Sequence, residues 1–282
     1  MSDLKMLNLG CGKRFHPDWV NVDFVSSSPG IIAHNLTSGI PFSDNKFDVV
    51  YHSHVLEHFS KKDAANFIAG CYRVLRKGGT IRVAVPDLER IALAYLEQLN
   101  LAVKGDKAAD HNYDWMMLEM YDQTVRNSSG GGMAEYLAQD NVAGEDFIYS
   151  RIGEEYKAIR AAMHRMGKEK NFSVPVRASL LKRILSPRSY LSAIRKLLSG
   201  AGVNQQHAEL ASTIGKFRLE GEIHQWMYDR YSLARLLKDS GFGNIVQKTA
   251  FESSVPRWNE FGLESKDGII FKPDSLFMEA VK

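Results

Sequence analysis

Gly10 and Gly12 stand directly behind a short apolar run in "LNLGCG", and Asp23 follows thirteen positions after the first glycine. A strand, a glycine-rich turn and an acid ending the next strand build a nucleotide-ribose site. The glycines let the backbone approach a ligand, and the carboxylate accepts hydrogen bonds from the two ribose hydroxyls. A dinucleotide would ask for a third glycine opening a long helix, with the acid about 20 residues on. Here Phe15 takes the third glycine position and the acid comes sooner. A glycine turn between two strands also needs no ligand, so the pair alone leaves both readings open. Of nine histidines, His54 and His224 are expected at the carboxyl edge of a sheet, with Asp87 and Tyr228 as polar neighbours. A histidine there can take a proton at neutral pH, or serve only as a hydrogen-bonded structural group. Glu57 and His58 are expected to start a helix, where capping and packing are their predicted work.

The elements that must position these residues follow from periodicity. "KMLNLG" (5 to 10), "WVNVDF" (19 to 24), "GIIAHN" (30 to 35) and "KFDVVYHS" (46 to 53) read as four short strands. Ala64, Phe67, Ile68, Cys71, Val74 and Leu75 then fall on one helical face, closed by Arg76, Lys77, Gly78 and Gly79. "TIRVAVPD" (80 to 87) is a fifth strand. "DRYSLARLLKDSGF" (229 to 242) is a helix closed by Gly241, and "NIVQKTAF" and "DSLFMEAVK" are two final strands. Strands alternating with helices predict a mostly parallel α/β sheet covered on both faces.

Residues 91 to about 221 break the alternation and read as a helical insertion after the fifth strand, interrupted by "NSSGGG", Pro175, Pro187 and "SGAG". Loops leaving the carboxyl ends of parallel strands border the ligand crevice, so an insertion there is placed to cover a substrate. A structural or oligomerisation arm is the other reading. Within it, Asp122, Gln123 and Arg126 beside the glycine triplet suit a polar lid with a hinge, or a solvated helix and loop. Arg177, Lys182, Arg183, Arg188, Arg195 and Lys196 lie between residues 176 and 200 with no acid, interleaved with leucine and isoleucine. That pattern suits an anionic membrane surface or an acidic partner, and equally a helix packed on its own domain.

Composition sets outer limits. The chain has 282 residues and a net charge of +3, so no global nucleic-acid footprint is expected. No apolar run is long enough to span a membrane, and no charged-then-apolar leader precedes the first strand. A cytoplasmic location is expected, peripheral to the inner face of the membrane if the basic segment engages it. Two cysteines, Cys11 and Cys71, make no disulfide framework or zinc spacing, and no metal is expected.

Taken in order, "LNLGCG", "VNVD", "HNLTSGIPFSDNKFDVVYHSHVLEHF", "RVLRKGGTIRVAVPDLE", "HQWMYDRYSLARLLKDSGF" and "LFMEAVK" resemble the class I S-adenosylmethionine-dependent methyltransferases, most closely the type 11 group, especially enzymes of bacterial cell-surface and glycan gene clusters. The resemblance covers residues 5 to 90 and 222 to 282. It implies a Rossmann-like seven-stranded mostly parallel sheet with helices on both faces, a methyltransferase core over 1–90 and 222–282, and an insertion over 91–221. It also implies S-adenosylmethionine as cofactor. Leu9, Gly10, Cys11 and Gly12 match the turn that passes its methionine end, and Asp23 matches the ribose acid. Asn35 and Leu36 lie where the family contacts adenine, with asparagine in place of the usual aspartate. Ser53 and His54 match the border of methionine and substrate. His224, expected over the transferred methyl, is then the candidate general base, with His54, Asp87 and Tyr228 around it. The acceptor this implies is a small molecule or glycan, at an oxygen of a sugar or sugar-lipid. A protein or nucleic-acid acceptor is the alternative, weakened because "HSHVLEH" lacks the Asn/Asp-Pro-Pro-aromatic pattern of amino-methylating nucleic-acid enzymes. A non-catalytic cofactor-binding scaffold is another.

Overall fold

The computed structural model describes residues 4–170 and 201–282. Four parallel strands form one side of its sheet: β1 (Met6–Leu9), β2 (Trp19–Asp23), β3 (Ile31–Ala33) and β4 (Phe47–Ser53). β5 (Leu75–Pro86) runs parallel to β4, and β9 (Ser275–Val281) pairs antiparallel with both β5 and β6 (Gly243–Lys248). The order is β3-β2-β1-β4-β5-β9-β6, and a small hairpin of β7 (Ser265–Lys266) and β8 (Ile269–Ile270) stands apart. All four residues of β1 are buried, as befits a central parallel strand covered on both sides.

One face of the sheet packs against two amphipathic helices. α1 (Lys61–Val74) is capped by Ser60, whose hydroxyl accepts from the Asp63 amide, and buries Ala64, Phe67, Ile68, Cys71 and Val74. Leu75, read from the sequence as the last residue on that helical face, instead opens β5 in an extended conformation. α9 (Arg230–Asp239) begins with a capping box between Asp229 and Ser232 and buries Leu233 and Leu237 beside α1.

Beside β1 and β4 the opposite face is closed by an aromatic segment in place of a helix. Val255, Trp258, Phe261 and Leu263 cover Met6, Trp19, Val49 and Tyr51, and Trp19, Tyr51 and Trp258 meet edge to face. Arg82, fully buried on β5, holds this segment down. Its guanidinium donates to Glu264, to Glu279 at 2.8 Å, and to the carbonyls of Glu252 and Thr249, with the Trp258 ring 4.4 Å away.

The insertion is helical, as its composition predicts: α2 (Leu88–Val103), α3 (Lys107–Met117), a π-helical turn (Leu118–Asp122), α4 (Gln123–Val125), α5 (Gly131–Leu137), α6 (Glu145–Ile152), α7 (Glu154–Lys170) and α8 (Ala201–Leu219). It has its own core of Ile91, Trp115, Met116, Leu137, Ile148 and Ile152. Trp115 and Arg151 both donate to the buried Glu119 carboxylate beside it. The basic stretch from 176 to 200 lies outside the described residues. No described helix is long and apolar enough to cross a membrane.

Two stability predictions follow from Arg82. Arg82→Met strands two buried carboxylates and should lower unfolding free energy by about 3–5 kcal/mol in denaturant titration. Burial, opposed by the charge of Arg82, pushes the Glu264 carboxyl up to about 7. An acid that keeps its proton in the fold and loses it on unfolding makes stability fall as pH rises, from the ordinary carboxylate range to about 7 and no further. Glu264→Gln should remove that slope when melting temperature is followed from about pH 5 to pH 8, and an unchanged slope would place its origin elsewhere.

Candidate active site

The site begins at the turn after β1. Gly10 and Gly12 both have left-handed backbones, with φ of +65° and +53°. A Cβ on Gly10 would lie 2.3 Å from Val55 Cγ2, so no other residue allows the β1 turn to sit this close to the turn after β4. The amides of Gly10 and Cys11 donate to Val22 O, and the Gly12 amide donates to Asp23 Oδ2 at 2.6 Å. Burial, then the charge of Asp23, pushes the Cys11 thiol up to about 11, so it stays neutral. Leu9 is fully buried in the core beneath the turn.

A cavity of about 330 Å³ opens at this turn, walled by Gly10, Cys11 and Gly12 on one side and by Ser53 and His54 on the other. Glu154 and Glu155, at the start of α7, roof it. They reach it because Gly153 sits against the 270–273 segment, where a Cβ would meet Phe271 O at 2.7 Å. Lys272 then pairs with Glu155 at 3.3 Å.

His54 follows β4 directly with φ of +53°, a conformation uncommon for a residue with a Cβ and one that concentrates at functional sites. Its Nδ1 lies 3.2 Å from Glu57 Oε1, and its Nε2 is 2.8 Å from Ser275 Oγ. With Glu57 ionised, the consistent tautomer donates from Nδ1 and accepts at Nε2. Glu57 is fully buried. Burial works to raise its carboxyl, yet the hydrogen bond and charge of His54, with His224 and His58 behind it, hold it well below the usual carboxylate range.

A second cavity, of about 380 Å³, lies between this edge and the insertion. His54, Glu57, His58 and His224 form the core side, and Gln123, Arg126 and Glu155 face them. His54, Glu155 and Lys272 border both cavities. Arg126 is fixed by Asp122 at 3.1 Å and Glu222 at 2.9 Å. The Asp122 carboxylate also accepts from the Gly132 amide at 2.7 Å, so the glycine triplet is anchored at the start of α5, in place of the free hinge its composition suggests.

The residues singled out from sequence are distributed unevenly over this geometry. His54 and Ser53 lie on the cavity wall, and His224 lies on the second cavity, 6% exposed, with burial lowering its imidazole to about 3. Asp87 caps α2, accepting from the Glu89 and Arg90 amides, and the backbone of Tyr228 pairs beside it. The Tyr228 ring belongs to the core, where burial and the charge of Glu57 push its hydroxyl up to about 12. Neither lines a cavity described above. Asn35 Oδ1 accepts from both the amide and the hydroxyl of Thr37, which occupies the oxygen expected to meet an adenine amine, and Leu36 packs against the core beside it. Glu57 and His58 form a 3-10 turn (Leu56–His58) ahead of α1, so capping falls to Ser60 and their side chains are free to face the cavity.

Residues 13–83 match a family model described as a methyltransferase domain, a stretch that holds Asp23, Ser53, His54, Glu57 and His58. No curated protein sequence matches the chain. Solved structures similar to it include an S-adenosylmethionine-dependent methyltransferase from Archaeoglobus fulgidus (11% identity, 99% of this chain and 86% of that one, TM-score 0.37). Another is a methyltransferase of the same cofactor from Thermotoga maritima (9%, 100% and 84%, 0.37). A third is the Burkholderia thailandensis 1,6-didemethyltoxoflavin-N1-methyltransferase with bound S-adenosylhomocysteine (18%, 30% and 45%, 0.26). The match to that enzyme spans less than half of its length.

The residues at the turn fit S-adenosylmethionine. Asp23 offers a carboxylate at the end of β2, the backbone at Gly12 is open with nothing within 4 Å of a Cβ, and the cavity runs from there to Ser53 and His54. The sheet order is that of the Rossmann-like fold expected from the sequence, and residues 13–83 within it are similar to a methyltransferase domain.

Proposed function

We propose that the chain methylates an oxygen of a polar small molecule or glycan held in the 380 Å³ cavity, with His54 as general base. The observation that carries this reading is the place of His54. It borders both cavities, and a buried carboxylate stands behind its Nδ1. When bound, S-adenosylmethionine supplies an electrophilic methyl on a sulfonium. The chain's own residues then have to hold an acceptor hydroxyl in line and take its proton. The hydroxyl takes the position of Ser275 Oγ at His54 Nε2, and that nitrogen accepts the proton as the oxygen attacks. Glu57 fixes the tautomer and stabilises the imidazolium that forms, the work a carboxylate performs behind a catalytic histidine. His224 is the weaker base, because burial has lowered its basicity too far for neutral pH. Gln123, Arg126 and Glu222 offer the polar side chains a hydroxylated acceptor requires.

Two outcomes test this. Asp23→Ala should weaken S-adenosylmethionine binding by about 1.5–3 kcal/mol in calorimetry, the scale of hydrogen bonds to a charged group. Unchanged affinity would remove Asp23 from the site. His54→Asn keeps a residue that tolerates positive φ and removes the base. It should lower turnover about 10²- to 10⁴-fold with cofactor affinity little changed, read as S-adenosylhomocysteine release over a panel of sugars, nucleotide sugars and lipid-linked glycans. A folded His54→Asn protein with the wild-type rate would end the assignment.

A further inference from the structure

Glu57, His58 and His224 each place one ligand atom within 4.8 Å of the others, and they form the one such group of three among the described residues. Polar capacity at this cluster is left unused. Glu57 Oε2 is buried with no partner, and Oε1 has only His54 Nδ1, at 3.2 Å. His224 Nδ1 is buried with no partner. His58 Nδ1 lies 3.3 Å from the Ile223 carbonyl, to which it can only donate, and this leaves its Nε2 lone pair free. A ring nitrogen tied to a backbone carbonyl while the other points away is the usual outer-shell arrangement of a metal-ligating histidine.

Orphaned acceptors do not gather in a protein interior without something to receive their lone pairs. His54 meets only one of the Glu57 oxygens, and Glu57 Oε2 and His224 Nδ1 stay without a partner. The guanidinium of Arg126, in the wall of the same cavity, is held by Asp122 and Glu222.

We propose that Glu57, His58 and His224 bind a divalent transition metal of the zinc class. Two imidazoles and one carboxylate are a set that zinc accepts with a fourth position left open, whereas magnesium and calcium prefer oxygen alone. The ligands come from the turn after β4 and from the segment that returns from the insertion, joined by the Gln225 amide donating to Glu57 O at 2.7 Å. The ion would therefore also clasp the insertion to the core. Its presence does not depend on the acceptor proposed above. A role in binding an acceptor oxygen does rest on that reading, since the trio lines the same cavity.

The full chain, stripped with chelator, would be titrated with Co²⁺, whose visible absorption reports nitrogen and oxygen ligation. The expected result is one equivalent bound with visible d–d bands, displaced by Zn²⁺, and a higher melting temperature with metal than without. His58→Ala, at a partly exposed ring, and His224→Ala should each weaken Co²⁺ at least about 10- to 100-fold, the loss seen even for an outer-shell partner. Circular dichroism establishes that each variant is folded, and the His58 variant alone decides the matter should the more buried His224 variant unfold. A wild-type chain without the bands, or a folded His58→Ala chain that binds Co²⁺ as before, overturns the proposal. Calorimetry of S-adenosylmethionine on the stripped protein separates the readings: cofactor binding without metal binding rejects this site and leaves the methyltransferase intact.

Discussion

A carboxylate without access to water sits where three stretches of chain meet, and the functional edge of the molecule is arranged around it. Glu57 is placed by the turn after β4 and faced by His54 from the end of that strand. Its backbone carbonyl receives the amides of Gln225 and Trp226 as the chain returns from the insertion. A buried carboxylate is costly unless charge or hydrogen bonds compensate it, so whatever occupies its surroundings must be basic or cationic. Three imidazoles surround it, with His54 nearest at 3.2 Å and His58 and His224 behind.

Two other buried ionic clusters keep that edge in register. Arg82 binds Glu264 and Glu279 beneath the sheet, tying the aromatic segment around Trp258 to β5. Glu119 holds Arg151 and Trp115 within the insertion. The two differ in consequence. The first closes the face of the sheet under the glycine turn, where a helix is expected. The second stiffens the scaffold from which Glu154 and Glu155 roof the first cavity. Because each guanidinium is desolvated and multiply bonded, neither can shift without stranding charge, and the cavity walls inherit that rigidity.

Much of this could be read from the sequence where the signal is local. The alternation of strands and helices and the spacing of Gly10, Gly12 and Asp23 all report contacts within a few residues of one another along the chain. His54 was legible because it directly follows a strand whose apolar run is plain. Glu57 and His58 were misjudged because an acid just ahead of an amphipathic helix looks like a cap; Ser60 is nearer the true start and takes that work. Their relation to His224 is set by the path of the insertion, which no periodicity encodes. Asp87 and Tyr228 were placed at the right edge, yet their side chains serve a helix cap and the core, a distinction of orientation that one position along a strand or turn decides. Asn35 shows the same limit in reverse: its amide oxygen suits a purine, but Thr37 two residues on claims it first.

The site lies at the seam between core and insertion because neither part alone could make it. The core provides the glycine turn, Asp23 and His54, and the insertion provides Glu154, Glu155 and Arg126. In water, a histidine–carboxylate pair gains little, since the solvent screens it. Covered by α7 and the segment around Arg126, the same pair lies at a cavity wall, where their contact is screened less. The insertion therefore contributes one wall of the 380 Å³ cavity and covers the groups beneath it. Substitutions deep in its own core, at Trp115 or Ile148, would then act on the surroundings of Glu57 from a distance, without touching any residue that lines the cavity.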